Sequence, residues 1–196
     1  EYPEEFFKER IHNIRRPRPD DYQIKQSVEK IKSSKNPILI SGGGVFYSDA
    51  MEDLGNFAVK HNIPVTQTVM GYSTMKKDHS HFLGPIGGLG GKAANNLAKQ
   101  TDLAIAVGTK LGDFTTGSWA NFENQNFSLV SINVARFDAS KHLAQSIIGD
   151  AKVSLNELSQ ALGNWKASEN WYKKSRDELK SWNEYVDKES GPTNQK

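Results

Sequence analysis

The sequence predicts an α/β fold, a doubly wound and mostly parallel sheet of six strands with helices on both faces. Three observations predict it. Short apolar runs such as Ile38-Leu39-Ile40 and Leu103-Ala104-Ile105-Ala106-Val107 have the length and continuity of strands buried on both faces. Glycine clusters follow them at once, at 42–44, at 84–91 and at 108. Segments with helical periodicity alternate with the apolar runs, which is the rhythm of repeated βαβ units. Crossovers in such a sheet are right-handed.

The elements follow in order. Residues 1–19 read as an interdomain linker, charged and proline-broken, with Phe6 and Phe7 near its start. Its basic run, Arg15-Arg16-Pro17-Arg18, is short and lacks interleaved aromatics, so a linker suits it better than nucleic-acid contact. Asp20 or Asp21 caps a helix to about Ser33, with Ile24, Val28 and Ile31 on one face. The strand at 37–41 opens the sheet and is expected at its centre. A helix over 49–61, capped by Ser48 or Asp49, and a strand over 64–68 complete the first βαβ unit. A strand at 81–83, a helix at 92–100 and strands at 102–108 and 127–133 come next. A polar loop fills 109–119, and 136–142 reads as a loop or short helix. A last strand at 145–149 leads to Asp150, which caps a helix over 151–162. Residues 20–163 thus form a central Rossmann-like domain. Residues 164–196 are a charged helix and linker whose aromatics, Trp171 and Trp182 among them, are expected to be ordered by other parts of a longer protein.

The totals exclude several classes. The chain has 196 residues with 25 basic and 23 acidic side chains, a net charge of +2 that provides no global field for nucleic acid or membrane. No cysteine is present, which excludes disulfides, thiol nucleophiles and thiolate metal sites and fits a cytoplasmic protein. No apolar run approaches the roughly 20 residues of a membrane span, and no signal peptide is visible. The first residue is Glu1, and no closing element is evident at 193–196, so the chain reads as a piece of a longer protein.

Ligands of doubly wound sheets sit beyond the carboxyl ends of the strands. The loops there, at 42–44, 68–71, 84–91, 108–116 and 133–138, are rich in Gly, Thr, Asn and Asp. Two readings stand: glycines that only make tight turns, or a crevice that takes a nucleotide-like ligand. No cluster has the G-x-G-x-x-G spacing or a following Gly-Lys-Ser/Thr, so a phosphate-cradling P-loop is excluded. His79 and His81 lack further ligands at metal spacing and suit a surface or strand-edge role. Asp113 either accepts from a ribose or stabilises its loop. Arg136 and Asp138 read as a local pair. Ser41 is not in a nucleophile elbow. No catalytic constellation is evident.

The segments Pro37-Ile38-Leu39-Ile40-Ser41-Gly42-Gly43-Gly44, Ile63-Pro64-Val65-Thr66-Gln67-Thr68, Ala93-Ala94-Asn95 and 102–109 with Asp113 resemble the central domain of thiamine-diphosphate-dependent enzymes, over about 20–162. A narrower resemblance is to the ring-opening hydrolases of inositol catabolism in that superfamily. It is carried by residues 6–12, by Arg15-Arg16-Pro17, by 112–118, by 131–139 and by Pro192-Thr193-Asn194-Gln195. The resemblance implies flanking pyrimidine- and diphosphate-binding domains of the same chain, which hold thiamine diphosphate and magnesium outside these residues, and a homo-oligomeric parent. It implies cleavage of a C–C bond in a cyclic trihydroxy dione to give 5-deoxy-glucuronate, with no turnover by this piece alone. In acetolactate synthase the equivalent crevice holds FAD. The positions matching that pattern are Gly42, Gly43, Gly44, Thr66, Met70, Gly71, Gly108, Thr109, Asp113 and Asn133. The flavin loop often reads Asp-Ile-Asp where this chain has Ser131-Ile132-Asn133, which weakens the flavin case. An FAD-bearing transferase like acetolactate synthase is one alternative. A nucleotide-binding module unrelated to thiamine enzymes is another.

Overall fold

The structure is a computed structural model that describes residues 1–190. Six strands form one all-parallel sheet: β1 (Pro37–Ser41), β2 (Val65–Gln67), β3 (Phe82–Pro85), β4 (Leu103–Val107), β5 (Ser128–Asn133) and β6 (Gln145–Ile148). Their spatial order is β3-β2-β1-β4-β5-β6, so the strand order reverses between β1 and β4. The central place expected for β1 is found.

The helices are α1 (Asp21–Ser33), α2 (Gly43–Tyr47), α3 (Met51–His61), α4 (Lys92–Gln100), α5 (Asp113–Thr116), α6 (Arg136–Ala139), α7 (Ala151–Leu162) and α8 (Glu169–Glu189). Side chains alternate across each strand, so even fully apolar strands feed two different layers. Leu39, Val65, Ile105 and Ile132 face the layer built by α1, α3 and α7. Ile38, Ile40, Ala104 and Ala106 face α4 and α8. The caps act as expected at two helices. Asp20 accepts from the Gln23 amide at 2.8 Å, and Asp150 accepts from the amides of Lys152 and Val153.

Several expectations are corrected. The residues after β1 do not form one helix from Asp49. Gly43 starts the short α2, Asp49 turns left-handed at φ +53°, and α3 begins at Met51. The polar loop after β4 contains the single turn α5, and β3 lies one residue later than expected. Asp138 pairs with Lys141, three residues on in the turn that follows α6, at 2.7 Å, and not with Arg136, two residues back, because helical turns bring together residues three apart and not two apart.

The largest correction concerns α8. Trp171 is buried and donates its indole N–H to the Pro37 carbonyl at 2.8 Å. Leu179 and Trp182 pack on the same apolar layer. The helix is therefore ordered by this chain's own α4 and β3. The expected break at Gly191-Pro192 and the segment 192–195 lie outside the described residues. None of the described helices is long and apolar enough to cross a membrane.

Candidate functional site

All five loops of interest lie at the carboxyl end of the sheet, where the reversal between β1 and β4 opens the usual crevice. Here the chain fills much of that crevice with its own backbone. The Gly42 amide donates to Val107 at 2.8 Å, and the Gly44 amide to Gly108 at 2.9 Å. A Cβ on Gly42 would sit 2.4 Å from the Gly108 carbonyl, and one on Gly44 would sit 2.6 Å from the Gly108 Cα. Gly108 itself is left-handed, at φ +61°. On the other side, a Cβ on Gly71 would lie 2.2 Å from the Ser41 carbonyl. These glycines are required by contact between loops.

The remaining predicted residues separate into three groups. Thr66 is fully buried and donates to the Leu39 carbonyl at 3.1 Å, so its hydroxyl points into the fold. Ser41 joins the same interior network, bonding the Thr66 carbonyl and the Thr74 hydroxyl, and Thr74 donates to Gly71. Met70 and Asp113 stand open to solvent, Met70 beneath Gly43 and Asp113 at the head of α5. Gly44, Gly108 and Asn133 do line one space, a cavity of about 700 Å³. Asn133 is already engaged there. Its side-chain amide donates to the Thr109 carbonyl at 3.3 Å, and its oxygen accepts from the Ala135 amide at 3.0 Å. A carboxylate at 133 could not donate to Thr109, which gives Asn133 a structural reason to replace the acid of the flavin loop.

The cavity has a wall that the sequence did not announce. Ile14, Arg15 and Pro17 lie beside Tyr47 and Val134. This strap is fastened by Arg16, which donates to Asp150 at 3.0 Å and to the Ser48 carbonyl. The Asp150 amide donates to Pro17 at 2.8 Å, and Pro19 is buried. The signal available was composition: a basic run beside an N-capping acid.

Of the two histidines expected at a surface or strand edge, His79 is half-buried and His81 is buried at the edge strand. His81 precedes the edge strand β3 and is buried beneath α8, stacked on Tyr172 with ring centroids 4.5 Å apart. Its ring bonds the Ser80 hydroxyl and the Asn62 side chain. Burial lowers its pKa to about 4, and His79 and Arg176 push in the same direction. No group of three or more metal-ligating side chains converges among the described residues. The acids of the carboxyl end stand on separate loops: Asp138 pairs with Lys141 and Asp113 heads α5. Asp150, just after β6, is spent on Arg16 and on capping α7.

A doubly wound parallel sheet with its loops locked at the β1–β4 reversal defines a Rossmann-like domain. The profile described as thiamine pyrophosphate enzyme, central domain, matches residues 24–158, and the chain belongs to that family. It is similar to proteins named 3D-(3,5/4)-trihydroxycyclohexane-1,2-dione hydrolase. The relative from Clostridium perfringens strain 13 is 44% identical over 170 residues, covering 86% of this chain and 27% of the relative. That from Clostridium botulinum strain Eklund 17B is 41% identical over 192 residues, covering 96% and 29%. That from Geobacillus thermodenitrificans is 42% identical over 165 residues, covering 84% and 26%. The chain thus spans about a quarter of the length of these curated relatives.

Proposed function

We propose that this chain is the central domain of a thiamine-diphosphate-dependent C–C hydrolase that opens a cyclic trihydroxy dione, as the names of its relatives describe. The observation that carries the reading is identity of 41–44% to several such hydrolases across most of the chain. On this reading the domain is architecture. Thiamine diphosphate and magnesium are held by flanking pyrimidine- and diphosphate-binding domains of the same polypeptide. The parent is cytoplasmic and homo-oligomeric, and acts in inositol catabolism. The division into a linker at 1–19, a central domain at 20–163 and a helix and linker at 164–196 is part of the proposal. The packing of α8 ties that helix closely to the central domain.

The polar groups at the carboxyl end support an architectural role, since Ser41, Thr66, Thr74 and Asn133 are committed to this chain's own backbone. A nucleotide bound at the ten candidate positions would occupy the cavity beside Gly44, Gly108 and Asn133, and would bind weakly. Calorimetry with FAD, NAD and ADP tests this, and a yellow purified protein would favour the acetolactate-synthase-like alternative. The main test is an assay of the full-length polypeptide and of residues 1–196 with the cyclic dione, thiamine diphosphate and magnesium. We expect turnover only by the full-length polypeptide. Turnover by residues 1–196, or full-length turnover that does not need thiamine diphosphate, overturns the proposal.

A further inference from the structure

We infer that the cavity between the edge strand β3 and the second half of α8 is a binding site for a small organic anion, an aromatic acid with a hydroxyl at the end remote from its carboxylate. The inference goes beyond the reading above and does not rest on it.

The cavity holds about 620 Å³, within the range of roughly 300–1,000 Å³ typical of small-molecule sites. It shares no lining residue with the space beside Gly44 and Asn133. Its walls come from the loop after β2, from β3 and from α8. Met75, Phe82, Leu83, Leu179, Trp182 and Val186 make them mostly apolar. These walls are preset. Met75, Phe82 and Leu83 are buried in the two apolar layers. Trp182 lies against Gly91, where a Cβ would stand 3.1 Å from the indole nitrogen, and Tyr185 stacks on it with ring centroids 5.6 Å apart. A preset wall loses little entropy when a ligand arrives.

The group that points to a ligand is Gln67. Its side chain lines the cavity and is only 5% exposed. Its buried Oε1 has no hydrogen-bond partner among the described residues. A buried oxygen in this state has lost its hydration and gained no donor, which calls for an explanation. A ligand hydroxyl would donate to Oε1 and could accept from the same amide's N–H groups. Beside it the backbone makes room. The β2–β3 ladder shifts register between Val65 and Thr66, and Gly84, the partner of Thr66, stands at φ +102°. A Cβ on Gly84 would meet nothing within 4 Å, so this wall of the cavity bends around open space.

The charge stands at the outer end. Lys76 and Lys77 line the cavity and are exposed, and no acidic side chain lines it. Neither lysine joins an ion pair among the described residues. Two free ammonium groups favour an anion there. The order from inside to outside is therefore an amide, then apolar walls with the rings of Phe82 and Trp182, then positive charge. A ligand that reads hydroxyl, aromatic ring, carboxylate matches that order, and ring-to-ring contact favours the aromatic body.

Calorimetry on the full-length polypeptide tests the inference, with 4-hydroxybenzoate as the probe. We expect a Kd of about 1 mM or tighter. Benzoate lacks the hydroxyl and 4-hydroxybenzamide lacks the charge, and each is expected to bind about tenfold more weakly. Gln67→Leu is expected to weaken 4-hydroxybenzoate about tenfold and to leave benzoate unchanged. The paired change Lys76→Gln and Lys77→Gln, at exposed positions, is expected to abolish the preference for the carboxylate over the carboxamide. No binding of 4-hydroxybenzoate overturns the inference, as does equal binding by the Gln67→Leu variant or an intact carboxylate preference in the lysine variant. The melting midpoint of the ligand-free Gln67→Leu protein is a second check. It is expected not to fall, because an oxygen without a partner gives up no bond when it is removed. A fall would mean that the full-length polypeptide already satisfies this amide, and would also overturn the inference.

Discussion

The two ends of the same six strands are finished in opposite ways. At the amino end, several polar and aromatic groups find partners within the chain. Asp102 accepts from the Ser34 hydroxyl and from the amides of Lys35 and Asn36. The Trp171 indole closes on Pro37, and His61 bridges the Trp165 carbonyl and the Ser159 hydroxyl. At the carboxyl end most polar groups are bonded too, though the buried Gln67 Oε1 has no partner among the described residues, and large apolar side chains face outward. Open apolar side chains are more numerous at the carboxyl end, although Leu143 is fully exposed before β6. Exposed apolar surface, more than unsatisfied polarity, distinguishes the two ends.

Four measurements would break or sharpen that contrast. The largest effect is expected where carboxyl-end loops touch through glycine. Gly71→Ala places a methyl 2.2 Å from the Ser41 carbonyl and should cost about 3 kcal/mol in denaturant unfolding. A neutral result would mean that these loops are loosely joined.

Next comes pH at the amino end. His81 has a pKa of about 4 in the fold against an ordinary 6.5, so the unfolded chain binds this proton more readily. Its contribution is fully present above about pH 6.5 and is lost as pH falls toward 4, on the order of 2 kcal/mol. Burial lowers the pKa of His79 as well, which adds in the same direction. His81→Phe keeps the stack on Tyr172 and should flatten this part of the stability–pH curve.

Trp171→Phe preserves most of the packing but leaves the Pro37 carbonyl without its donor. We expect a loss of about 1 kcal/mol, seen as a lower denaturant midpoint with unchanged slope. The smallest effect belongs to the carboxyl-end rim. Phe114→Ser in residues 1–196 should change stability by less than about 0.5 kcal/mol, since that ring is 77% exposed. A larger loss would mean that the rim supports its own domain.

Much of this architecture was legible from residues alone. The helices at 92–100 and 151–162 have the expected bounds, because a glycine precedes one, Asp150 caps the other, and both carry clear apolar faces. The start of α2 at Gly43 was hidden, since glycine disfavours helix and contacts with the loops after β4 and β2 hold it there. The docking of α8 was hidden by charge, although a stripe was present at 171, 175, 179, 182 and 186, at spacings of four and three. At the site, the positions of the glycines were readable but their purpose was not. Spacing cannot distinguish a glycine that approaches a ligand from one that approaches another loop.

The strap also has a mechanical consequence. Arg16 grips the acid that heads α7, and Pro17 holds that acid's amide. Tension arriving through residues 1–13 would meet these bonds before it reached α1. Pulling on Glu1 under a fixed loading rate should therefore show a distinct early rupture that Arg16→Ala removes.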